Sequence, residues 1–189
     1  ITISQVNDNN NAQLPTMENY YDIGRYPDNS AVCVDMCPQE ERIRRSEEYG
    51  ALHELEKPDS SKGLTLQDTM IKRFQKSAAD HELNVPSLVR TPRTLLKTII
   101  YIEENLMQLM DDYLDDNSHI PAPIIVYLFI WDRFRMIAKD FTLMNPSQGY
   151  NRIWIECHER MARWYIYMDH RMKFEGDYMT AGHGQQNGE

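Results

Sequence analysis

Cysteine, glycine and basic charge are all in short supply in this chain, and each shortage closes off a class of protein. Cys33, Cys37 and Cys157 are the only thiols among 189 residues. An odd number, with two crowded together, does not make the disulfide framework of a secreted domain and points instead to a reducing compartment, cytosol or nucleus. Glycine is sparse, and half of it stands at Gly176, Gly182, Gly184 and Gly188; no GxGxxG or P-loop is present, nor is there an HExxH pair or a nucleophile elbow. The longest apolar run, Ile124 to Trp131, is eight residues, far short of the roughly 20 that a membrane helix needs. With 29 acidic against 20 basic residues the net charge is −9, so the chain as a whole has no attraction for polyphosphate. It starts at Ile1 without a charged-apolar-small signal pattern, in the manner of an excised or processed fragment.

What is present is one domain's worth of core with polar arms. The hydrophobic share is 41% while the mean hydropathy is −0.63, which suits a single domain flanked by solvated segments. Residues 1–31, with Asn7, Asn9, Asn10 and Asn11 and no sustained apolar period, read as an extended or disordered arm. Residues 32–176 read as a helical domain, and 177–189 as a flexible tail.

Within that domain the spacing predicts an all-α fold. A first, strongly charged helix is expected from Pro38 to about Lys57, stopped by Pro58 and a turn-forming Asp59-Ser60-Ser61-Lys62-Gly63. A second is expected over 66–81, with Met70, Ile71, Phe74 and Ala78 on one side. The clearest period runs over 92–115, where Leu95, Leu96, Ile99, Ile102, Leu106, Leu109, Met110 and Tyr113 recur at three and four. The stretch Ile124 to Trp131 is β-branched and aromatic enough for a buried strand. The absence of any turn signal before Asn145-Pro146 decides for a helix of about 18 residues. A last helix spans roughly 150–174 and carries Trp154, Met161, Trp164, Tyr165 and Met168. Antiparallel helices of this kind form a bundle or a stack of helix pairs.

The junction from Cys33 through Val34, Asp35, Met36, Cys37 and Pro38 to Glu41 and Arg42 is chemically distinctive. A zinc site would need four soft or imidazole ligands; Cys157 and His158 could complete it, but neighbours on a helix point about 100° apart. A redox site would want CxxC heading a helix, and the spacing here is CxxxC. The simplest reading is structural: Pro38 opens a helix, where its missing N–H costs nothing, and Cys33, Met36 and Cys37 are buried filler beneath it. His158, near Glu156 and Glu159 but sharing no helical face with them, reads as a surface residue.

Three basic clusters stand at helix-like spacing: Arg42, Arg44 and Arg45; Lys72, Arg73 and Lys76; Arg90, Arg93 and Lys97. They are expected to be solvated faces pairing with Glu40, Glu41, Glu47 and Glu48 rather than RNA contacts. The helix at 124–141 embeds Asp132, Arg133, Arg135 and Asp140 in apolar surroundings. Charges buried there must be paired and hydrogen-bonded, so they should tie neighbouring helices together. Asp35, Glu41 and Arg42 are candidate partners for them, which would make the cysteine junction a latch.

In order and spacing, these segments together resemble the SAC3/GANP family, that of the germinal-centre-associated nuclear protein. Cys37-Pro38-Gln39-Glu40-Glu41-Arg42 is similar to its Cys-Pro-Glu-x-Glu-Arg helix start, departing at Gln39. Ile71-Lys72-Arg73-Phe74-Gln75-Lys76-Ser77-Ala78-Ala79 mirrors a Val-Lys-x-Phe-x-Arg-Ser-Ala-Ala segment. Arg90, Leu95, Thr98, Tyr101 and Ile102 follow the next pattern, and Phe129 to Asp140 matches the Phe-Ile-x-Asp-Arg-x-Arg-x-Ile-Arg-x-Asp element with Ala138 in place of an arginine. Glu156 and Arg160 fit a Glu-x-x-x-Arg step, whereas Ala162 and Arg163 depart from the usual His-Ile.

The resemblance, covering about residues 32–165, implies a non-catalytic scaffold with no cofactor and no metal. It implies a superhelical array of helix pairs, like tetratricopeptide stacks, with the downstream winged helix missing because too few residues follow Arg171. Implied partners are a PCI-domain protein and a small acidic protein, with messenger RNA reached indirectly or through the missing region. The implied location is the nucleus, at the nuclear envelope and pore. Alternatives are a shorter relative acting at centrosomes or in transcript processing, a small zinc-binding module built on Cys33, Cys37, Cys157 and His158, and an autonomous RNA-binding domain.

Overall fold

The computed structural model describes residues 31–75, 85–112, 122–144 and 146–173. The expected arm before residue 31, the tail and Ser77 lie outside these residues. The described part is all-α. Its helices are α1 (Gln39–Glu47), α2 (Leu66–Thr69), α3 (Pro92–Asn105), α4 (Leu109–Asp112), α5 (Pro123–Leu143), α6 (Pro146–Gly149) and α7 (Arg152–Met172). Single 3₁₀ turns cover Glu54–Glu56, Ser60–Lys62 and Pro86–Leu88. Among the described residues, the only isolated β-contact is a parallel bridge between Cys33 and Arg90, and no helix is long and apolar enough to cross a membrane.

The three long helices, α3, α5 and α7, pack on one another. Leu95, Ile99 and Ile102 of α3, Ile130, Phe134 and Ile137 of α5 and Cys157, Met161 and Trp164 of α7 are buried in one cluster. Trp164 sits at its centre, stacked on Tyr127 at 5.4 Å and edge-on to Phe134 at 5.1 Å between ring centroids. Each long helix begins on a recognisable stop-start signal. Thr91 caps α3, its hydroxyl accepting from the Thr94 amide at 3.2 Å, with Pro92 at the first position. Asn151 caps α7 through the Trp154 amide at 3.0 Å. The ambiguous apolar run 124–131 is helical because α5 is the central element, buried on so much of its circumference that an amphipathic stripe is lost.

Three expected helices are shorter than their periodicity suggests. The helix expected to reach residue 115 ends at Asn105, where Met107 donates to Ile102 and the chain then continues in i→i+3 turns. Leu106 and Met110 are both buried in the core there, and Arg171 of α7 caps the Met110 carbonyl at 2.8 Å. The charged helix expected to reach Lys57 stops at Glu47. Gly50, in the left-handed region at φ 77°, then turns the chain back so that Glu56 comes under α1.

The helix expected over 66–81 lasts only four residues. From Met70 to Gln75 the chain is not helical, because its amides are taken elsewhere: Ile71 donates to Glu56, Lys72 to the Met36 carbonyl, Arg73 to Glu41 and Phe74 to Asp132, all at 3.0–3.1 Å. Four successive amides held by tertiary acceptors override the helical propensity of the sequence.

The N-terminal segment is bound in the same manner. Gln148 of α6 holds both backbone groups of Ala31, at 2.9 and 3.2 Å, and Cys33 exchanges backbone bonds with Val89 and Thr91 at 3.0 Å each. Cys33 and Cys37 are buried as expected, and burial pushes the thiols of Cys33, Cys37 and Cys157 up, the last to about 12. Replacing Cys37 by Ser puts a hydroxyl into that apolar place and is expected to cost about 1–3 kcal/mol, read as a lower melting temperature. Elemental analysis of the native protein and of Cys37→Ser should find no stoichiometric zinc in either; zinc lost with the thiol would reverse the filler reading.

Candidate functional site

Eleven polar or charged residues are buried among the described ones, and most of the ionised ones gather at two carboxylates. The first is Glu56, in the 3₁₀ turn, with no solvent access. It receives Arg45 from α1, Arg133 from α5 at 3.0 Å and the Ile71 amide at 3.0 Å. Arg45 also reaches Glu41 at 3.3 Å and the Ile71 carbonyl at 3.2 Å, and Arg133 also pairs with Asp132. Burial on its own would raise the Glu56 carboxyl, but Arg133 and then Arg45 outweigh it and hold the group below the usual carboxylate range.

The second is Asp140 of α5, also without solvent access. Lys72 meets one oxygen at 2.6 Å and Arg90 the other at 2.7 Å. Lys72 also donates to the Leu88 carbonyl and Arg90 to the Met36 carbonyl at 3.2 Å. Burial pushes the Lys72 ammonium down, and Asp140 opposes that. Asp140 lies two turns beyond Arg133, so one face of α5 supplies both nodes. Four separate stretches, around residues 36–45, 56, 71–74 and 88–90, are thereby stitched to a single helix.

Of the charged α5 residues, Arg133 and Asp140 are buried and ion-paired, while Asp132 is only partly buried, and their partners differ from those expected. Asp132, Arg133 and Asp140 tie α5 to loops and extended segments rather than to neighbouring long helices. Arg135 joins no such node; its guanidinium lies between Phe74, at 3.8 Å from the ring centroid, and Trp131, at 4.3 Å. Arg133 in turn covers the Phe129 ring at 4.1 Å. Asp35 and Arg42 do not reach α5. They pair with each other at 2.8 Å, Gln67 takes the other Asp35 oxygen at 3.1 Å, and Arg42 also donates to the Cys37 carbonyl. Glu41 is linked to α5 through Arg45 and Glu56, and it also holds the Arg73 amide at 3.0 Å. Within the junction, Met36 makes the direct link to the Asp140 node, through its backbone carbonyl.

Sequence reasoning placed Arg45, Lys72 and Arg90 in solvated basic clusters, and all three are buried ion-pair partners. The mismatch arises because a cation's partner can lie far along the chain, as Asp140 does from Lys72. Glu56 was not singled out; nothing distinguishes it locally from Glu54. His158 is not a surface residue either. It is half-buried against Trp154 and Phe141 and bonded to the Trp154 carbonyl at 2.8 Å. Arg160 behaves as the motif suggests, joining Glu156 at 2.9 Å and Glu103 of α3 at 2.6 Å. Among the described residues no three His, Cys, Asp or Glu side chains come together in a metal-holding group. The carboxylates of both nodes are committed to cations and amides, so the arrangement acts mechanically: it locks segments in register.

His53 is a further component absent from the sequence reading. Its Nδ1 accepts from the Leu55 amide at 3.2 Å and its backbone N–H donates to Glu56, while its ring packs 4.7 Å from Phe129. Burial first, and then the neighbouring Arg133, lowers its pKa below the ordinary 6.5.

Comparison with known proteins gives a consistent picture. The SAC3/GANP family model matches residues 36–188. SAC3 family protein 1 of Schizosaccharomyces pombe is 33% identical over 140 residues, 74% of this chain and 12% of that protein. Protein xmas of Drosophila melanogaster is 32% identical over 111 residues, 58% of this chain and 5% of that protein. SAC3 family protein B of Arabidopsis thaliana is 29% identical over 141 residues, 75% of this chain and 7% of that protein. The chain thus spans between 5% and 12% of the length of these relatives.

Two measurements test the network. Asp140→Ala strands two buried cations and is expected to cost about 3–5 kcal/mol. Arg163→Ala breaks an exposed α7 pair and should stay within about 1 kcal/mol of the parent in chemical denaturation. For His53 the folded pKa lies below the unfolded one, so the unfolded chain takes up the proton first on acidification. Its contribution is complete above pH 6.5 and is lost as pH falls towards the folded value. His53→Asn keeps a capping acceptor but cannot be protonated, and should flatten the fall in melting temperature just below pH 6.5.

Proposed function

The chain belongs to the SAC3/GANP family, and from that premise we propose that it is part of a non-catalytic scaffold for nuclear messenger RNA export. In this reading α3, α5 and α7 belong to a superhelical array of helix pairs. The array pairs with a PCI-domain protein and a small acidic protein, at the nuclear envelope and pore. Messenger RNA is engaged indirectly or by regions of the longer protein. The net charge of −9 supports the indirect route, since a surface of that balance offers little counterion release.

The observation that carries the scaffold reading is the pair of buried nodes on α5. A binding platform has to hold its surface segments in fixed positions before a partner arrives, because ordering them on binding would cost affinity. Glu56 and Asp140 do this for the segments at 36–45, 71–74 and 88–90. Buried ion pairs with their hydrogen bonds filled are suited to that role: they contribute register more than net stability.

The test is co-purification. Tagged full-length protein taken from nuclear extract should bring down a PCI-domain protein in comparable amount, and Asp140→Ala should reduce it. A clean preparation with no such partner would refute the reading.

A further inference from the structure

A groove of about 530 Å³ lies along the solvent side of α3, lined by Val34, Arg93, Thr94, Leu96, Lys97 and Ile100 among others. Its wall is held firmly. The Thr91 amide and the Thr94 hydroxyl both donate to the Cys33 carbonyl, at 3.0 and 3.1 Å, and keep the following residue, Val34, beside the helix and 71% exposed. Val34, Leu96 and Ile100 give the groove an apolar floor, and Arg93 and Lys97, one helical turn apart, are exposed at its edge.

The two cations are available. Asp35 and Asp68 feel the charge of Lys97, but their oxygens are engaged by Arg42 and Gln67 in one case and Thr65 in the other. Among the described residues no acidic side chain lines the groove. In a chain with nine surplus negative charges, an apolar groove whose charged lining residues among the described ones are Arg93 and Lys97 is complementary to an acidic, partly apolar ligand. Single-stranded nucleic acid is disfavoured because, among the described residues, no aromatic ring lines the groove to stack a base.

We infer that this groove docks an acidic peptide segment of a partner protein. Apolar side chains of the peptide rest on Val34, Leu96 and Ile100, and its carboxylates lie over Arg93 and Lys97. The inference deepens the proposed reading, whose small acidic protein is a partner of this chemistry, and rests on it to that extent; a peptide that fails to bind leaves the co-purification test standing.

The probe is a short fluorescein-labelled peptide rich in Asp, Leu and Phe, titrated into the 189-residue chain by fluorescence anisotropy. Its Asn-substituted analogue and poly(U) RNA are titrated in parallel. The acidic peptide is expected to bind, with affinity reduced about tenfold by Arg93→Glu with Lys97→Glu, similarly by Ile100→Asp, and steadily by added salt. Arg163→Glu, on exposed α7 surface, should leave it unchanged, and circular dichroism should show each variant folded as the parent. The inference is overturned if the neutral analogue binds equally or poly(U) binds more tightly. It is also overturned if the groove variants match the parent, or if Arg163→Glu weakens binding as much as they do.

Discussion

Two carboxylates without access to water, Glu56 and Asp140, decide where the first half of the described chain can lie. An ionised carboxylate in such a place is tolerable only with cations and N–H groups filling its lone pairs, and a missing partner costs several kcal/mol. Glu56 therefore demands Arg45, Arg133 and the Ile71 amide together, and Asp140 demands Lys72 and Arg90. Each demand is directional, so the segments carrying those groups have almost no freedom to slide. Hydrophobic burial, being non-directional, could not impose the same register.

The apolar core and the charge network use different positions on α5, with Arg133 and Asp140 on a face flanking the core. Ile130, Phe134 and Ile137 face α3 and α7 and give the structure its cohesion. Asp132, Arg133 and Asp140 hold segments with little regular structure of their own. The exposed part of those segments, including Val34 over α3, is presented to solvent by a rigid base.

Legibility in the sequence followed the range of the interaction concerned. Helices α3, α5 and α7 could be read because their apolar spacing and the lack of turn signals within them are local signals. Of the four α5 charges expected to be buried, Asp132, Arg133, Arg135 and Asp140, Arg133 and Asp140 are, since an apolar helix leaves them no other place. Their partners could not be named, and Arg45, Lys72 and Arg90 looked like ordinary surface cations. Arg90 lies 50 residues from Asp140 and Lys72 68, and no periodicity spans such a separation.

What the sequence determined by itself was the all-α class, the place of the three long helices, the buried condition of Cys33 and Cys37, and the family. All of these rest on patterns within a few turns of chain. Only the tertiary structure decided that residues 70–75 are not helical, that α1 stops at Glu47, and that Glu56 is a centre of the fold. The physical reason is the same in each case: acceptors brought from distant segments took up amides and guanidinium groups that local helix would have left to itself or to water.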